Sequence, residues 1–186
     1  MEMTVRELVT LVHGMMFGGF FLLAGFGALV GMVRSRYAVA GMTDAGYRWD
    51  AVYWGVTVAL GWAAVLSGAY VVYPWYRAVV PAGAGLAGYP QRLLLSRVET
   101  AGWHSVGMEW KEHVAWMAPM AMTAVASVVV RYREGWSRER VLRRVVLAFG
   151  ATAILAGLVA GGWGALIDKA APITGGRTMM WMGVGR

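Results

Sequence analysis

Three histidines and the absence of cysteine frame what chemistry this sequence can do. His13 lies inside the first long apolar run, and His113 opens the third, in WHSVGMEWKEHVAWMAPMAMTAVASVVVR, residues 103–131. Neutral imidazole is a nitrogen ligand for haem iron, which takes one donor from each face of the porphyrin. An ionisable side chain in an apolar run is costly to keep and marks a functional site by default. Without cysteine, disulfides, iron–sulfur clusters, covalent haem attachment and thiol oxidases drop out. Any redox role then needs a cofactor held without a covalent bond.

His104 precedes His113 by nine residues, which at 100° per residue puts it on the opposite helix face, roughly 13 Å away. It therefore reads as a surface residue and serves only as a substitute ligand. Glu109, His113, Met117 and Met120 share one face by their three- and four-residue spacing. Met16, with Phe17 and Phe20, flanks His13, and these methionines offer soft contact to a porphyrin. Arg92, Arg97, Trp103, Trp110 and Lys111 are available to meet haem propionates. The 13 methionines read as apolar filling rather than a thioether site for copper.

The elements that position these residues come from composition. The chain has 186 residues, 59% hydrophobic and 15% charged, with a mean hydropathy of +0.54, which places it among membrane proteins. Four runs are long enough, or nearly so, to cross a bilayer: 8–33, 51–73, 113–130 and 145–167. The expected fold is an all-α membrane four-helix bundle forming a single domain over 1–186. The N-terminal run is too long for a cleavable signal and reads as the first span. Gly14 and Gly18, like Gly27 and Gly31, lie four apart and promise close helix packing. Pro119, interior to the third span, predicts a kink. In the long second connection, 91–112 predicts an interfacial helix or an extension of the third span into water.

Four alternating spans make the first and third parallel, so His13 and His113 fall near one leaflet, within one or two helical turns of equal depth. The loop after the third span holds six arginines within 14 residues, and with Arg34, Arg36 and Arg48 the two short loops carry nine basic residues. By that density they are cytoplasmic and both termini lie outside the inner membrane. The net charge of +7 thus concerns topology, and no nucleic-acid motif accompanies it.

At His13 and His113 the chain resembles the small four-helix cytochrome b subunits that anchor succinate dehydrogenases, formate dehydrogenases and hydrogenases. The resemblance implies an electron-transfer subunit with one haem b, relaying electrons between an external partner and a quinone or a second haem. It also implies partner subunits of a membrane redox complex, with lipid around them. The competing expectation is a cofactor-free structural or assembly subunit. A transporter is disfavoured because no acidic residue lies deep in any span.

Overall fold

The computed structural model describes residues 2–34, 44–133 and 135–180; Arg36 and the tail residues Trp181, Met182 and Arg186 fall outside them. The chain is 83% helical. Four helices are long and apolar enough to cross a membrane: α1 (Val5–Arg34), α2 (Gly46–Tyr76), α4 (Val98–Tyr132) and α6 (Arg140–Ala170). Each extends beyond the uncharged run that announced it, because helical hydrogen bonding continues past the first charged residue. Among the described residues the shorter helices are a 3-10 turn at Leu86–Gly88 and two α-helices, α3 (Pro90–Leu95) and α5 (Gly135–Arg138).

The second connection settles as an extension. Residues Val98–Glu109 form a helix that runs on into the third span, while α3 is a six-residue helix begun by Pro90, whose fixed φ suits a first turn. A two-stranded antiparallel ribbon, β1 (Glu2–Thr4) and β2 (Thr178–Met180), ties the two ends of the described chain together; its short strands carry no alternation the sequence reading could use. Thr4 then caps α1 through a reciprocal box with Glu7, at 3.2 Å and 2.7 Å, so two exposed N–H groups are satisfied at once.

α1 packs on α2 and α6, and α4 packs on the same two, so α1 and α4 stand diagonally across the bundle. The waist is closed by buried Phe21, Met122, Val125 and Ala153. Of the expected glycines, Gly27 packs closely across to α2, where a Cβ would lie 3.0 Å from the Tyr53 hydroxyl, and the tightest notch lies elsewhere. A Cβ at Gly14 or Gly31 would meet nothing within 4 Å, whereas one at Gly61 would lie 2.9 Å from the Phe21 ring and one at Gly157 3.0 Å from it. Spacing of four places two glycines on one face but leaves open which way that face looks. Here Gly61 and Gly157 form the notch that admits a phenyl ring, as small residues do where helices approach closely. Around this core, Leu23, Phe26, Leu155 and Leu158 are more than half exposed, an apolar belt suited to acyl chains.

A second cluster, with Tyr76, Leu94, Met108, Ile167 and Ile173, lies at the end of the bundle where α2 and α6 finish. It joins the long connection and the segment after α6 to the helices, giving that end a cap.

Candidate functional site

Three of the four long helices leave regular α geometry toward this capped end. π-Helical turns span Val12–Gly19 in α1, Gly68–Val72 in α2 and Trp110–Val114 in α4. Such turns are rare and occur often at functional sites. The one in α4 precedes Pro119, which has no N–H for the Ala115 carbonyl; the Ala118 N–H takes that carbonyl at 3.1 Å instead. The proline thus acts by reshuffling the hydrogen-bond ladder, as expected of an interior proline, while its own ring is fully buried.

His13 sits on the α1 π turn and enters a notch on α2. A Cβ at Gly68 would lie 2.8 Å from its Cε1 and 3.4 Å from its Nε2, so only glycine leaves room for the ring. Nδ1 is 2.9 Å from Ser67 Oγ, and that hydroxyl lies 3.2 Å from the Ala64 carbonyl. A carbonyl only accepts and a hydroxyl has one proton. With the Ser67 proton on the Ala64 carbonyl, Nδ1–H of His13 donates to Ser67 Oγ; with that proton turned to the ring, Ser67 donates to Nδ1.

His113 has different neighbours. Its Nδ1 lies 3.1 Å from the Glu109 carbonyl and 3.3 Å from the Glu109 carboxylate. Both are acceptors, so Nδ1 is the donor in these contacts. This ring is 69% exposed. Glu109, His113, Met117 and Met120 do share a face, and all four are exposed on it, so the face looks out of the bundle. Beside His113 runs an open groove of about 470 Å³, lined by Ser105, Val106, Glu109, Trp110 and Val114. His13 thus faces α2, and His113 faces outward from α4.

Among the other sequence-selected residues, Trp110 is half-buried and donates from Nε1 to the Ala156 carbonyl of α6 at 3.3 Å. Arg92 and Arg97 are exposed, and Met16 is 45% exposed.

His104 departs from expectation. It is half-buried rather than a surface residue, with Nδ1 2.6 Å from the Tyr76 hydroxyl and its ring stacked on Tyr76 at 5.8 Å. The helix-face arithmetic was sound, but the opposite face of α4 packs against the end of α2. Alongside, Arg77 donates to the Tyr73 hydroxyl at 2.6 Å, and Tyr73 donates to Glu112 Oε1 at 2.8 Å. That contact raises the Arg77 guanidinium above its ordinary pKa, because the hydroxyl bond favours the charged form. Arg77, Tyr73 and Glu112 therefore form a polar network between the end of α2 and α4.

Lys111 also moved from its expected place in a wet segment. Its Nζ would lie 3.1 Å from a Cβ at Gly164, so a glycine of α6 makes room for the ammonium. Asp168 acts on it electrostatically from the same helix. Thr10 Oγ1, one turn before His13, is buried and has no hydrogen-bond partner among the described residues. No spacing rule would have joined Lys111 to Gly164 or His13 to Ser67, since each pair is far apart in sequence.

Among the described residues no group of three or more His, Cys, Asp or Glu side chains forms a metal site. Haem needs only two such donors, so this bears on ions bound by side chains alone. No family model, curated protein or solved structure matches the chain.

Proposed function

We propose that the chain is a membrane-embedded electron-transfer subunit holding one haem b, with His13 and His113 as its nitrogen donors. The observation that supports this reading is that each ring sets Nδ1 against a fixed oxygen, Ser67 Oγ for one and Glu109 for the other. Imidazoles that bind metal show this arrangement, since the acceptor fixes the tautomer and raises the basicity of the free nitrogen. When bound, haem supplies one-electron chemistry at iron. The chain's own residues would orient the two imidazoles through Ser67 and Glu109 and offer the exposed Arg92 and Arg97 near the same end for carboxylates. Because His113 faces outward, a group that it helped to hold would be open to a partner subunit. The proposal includes electron exchange with an external partner and with a quinone or second haem, in an inner membrane with both termini outside.

The test is a reduced-minus-oxidised spectrum of the purified protein. A Soret band and an α-band are expected, with both lost in His13→Ala and in His113→Ala. A colourless protein that takes up no haemin would overturn the reading, as would spectra unchanged by both substitutions. Tyr76→Phe should leave the bands in place, because it removes a partner of His104 only.

A second reading, a cofactor-free subunit of a larger membrane complex, draws on the outward face of Glu109, His113, Met117 and Met120. On that reading the face is a contact for another subunit, and a colourless protein would migrate with a large assembly in a native gel.

A further inference from the structure

The end of the bundle opposite the histidines carries a charge that the redox reading does not use. In segments 34–50 and 131–144, nine arginines stand against four carboxylates, whereas the remainder of the chain has eight basic and six acidic residues. The folded chain gathers the described ones among them, because α1 and α4 end there and α2 and α6 begin there. Arg48, Arg131, Arg140 and Arg144 are exposed and Arg143 is half-buried. Among the described residues none of these five has a carboxylate within 4 Å. α6 adds to the imbalance: its first turn has no acid, and the Glu139 side chain makes no capping bond. Positive charge near a helix start is unfavourable, so the fold holds these groups together at a cost. Exposed Trp49 and Tyr132, at 74% and 59%, flank them, the residue types that settle at headgroup level.

We infer that this end of the bundle is a binding surface for anionic phospholipid headgroups, with Arg140, Arg143 and Arg144 at its centre. Guanidinium forks match phosphate oxygens two at a time. The apolar belt at Leu155 and Leu158, further along the same helix, receives the acyl chains. A phosphate reaching these arginines from a lipid is anchored twice, and that favours a lipid over a free anion of the same chemistry. The inference depends on the chain crossing a membrane and is independent of haem.

The experiment places the full chain in nanodiscs of phosphatidylcholine alone or mixed with phosphatidylglycerol, and counts retained lipids by native mass spectrometry. Phosphatidylglycerol should be retained preferentially by the unaltered chain. In Arg140→Gln/Arg143→Gln/Arg144→Gln that preference should fall roughly a hundredfold, since each basic side chain near an anionic surface is worth about a fivefold factor. Lys169→Gln/Arg177→Gln, at the other end, should retain the preference. Thermal unfolding of the same samples by circular dichroism shows whether the triple variant is folded, and Arg144→Gln alone, expected to lose about fivefold, serves if it is not. Equal retention of both lipids by the unaltered chain would overturn the inference, as would a triple variant indistinguishable from it. So would loss of the preference on adding inorganic phosphate at constant ionic strength, which would identify a free-anion site.

Discussion

Substituting Gly68 by alanine tests the notch that fixes His13. The added Cβ would lie 2.8 Å from the imidazole Cε1, against a comfortable carbon–carbon separation of about 3.5 Å or more. Neither group can yield cheaply, because the ring is held by Ser67 and the Cβ is part of the α2 backbone. The ring must leave, giving up the Nδ1–Ser67 bond, worth about 1 kcal/mol, while crowding of this kind typically costs about 1–3 kcal/mol. Alanine recovers up to about 1 kcal/mol of helix propensity, which leaves a net loss of about 1–3 kcal/mol. Gly55→Ala and Gly162→Ala are the controls, since a Cβ at either meets nothing within 4 Å; they should be neutral or slightly stabilising. The assay is reversible unfolding in mixed micelles followed by circular dichroism, run as a double-mutant cycle with His13→Ala. Removing the ring should abolish the penalty, giving a coupling of about 1–3 kcal/mol between positions 13 and 68. If Gly68→Ala is as benign as Gly55→Ala while His13 is present, the notch is wrong and the fixed placement of His13 loses its support.

Other perturbations follow from the same geometry. Met122→Ala, at 1% exposure in the waist, should cost about 2–5 kcal/mol of unfolding free energy. Tyr76→Phe leaves His104 Nδ1 without its partner and should cost about 1–3 kcal/mol, with a change in His104 ring exchange visible by nuclear magnetic resonance. Lys111→Met fills similar space without an ammonium, which has no carboxylate within 4 Å among the described residues; unfolding should show equal or greater stability, and a clear loss would mean that the attraction of Asp168 outweighs the cost of burying the charge. Ser67→Ala frees His13 Nδ1 from its acceptor and, in a haem-loaded sample, should lower haem affinity about 10–100-fold, read by haemin titration.

Much of the architecture was legible because a bilayer imposes simple requirements on a chain. Helix number followed from uncharged length, and the shared face of Glu109, His113, Met117 and Met120 followed from helical pitch. What the periodicity left open was direction. That face looks outward, although its residue types suited an interior site just as well. The glycine pairs at 14/18 and 27/31 had the same ambiguity: Gly27 packs against Tyr53, Gly14 and Gly31 meet nothing, and Gly61 and Gly157 make the notch because Phe21 points between α2 and α6. His104 was placed on the correct side of α4 but read as a surface residue, since nothing local says that the end of α2 lies there.

Composition alone determined that this is a cysteine-free chain with four segments able to cross a membrane, histidines toward one end and arginines concentrated at the other. Hydrophobicity, length and charge act residue by residue, so they can be read without coordinates. Only tertiary structure decided that His13 meets Ser67 and Gly68, that Lys111 lies against Gly164, and that Tyr76 holds His104. Each of those contacts depends on the rotation of one helix against another, which is set by how side chains of distant segments interlock.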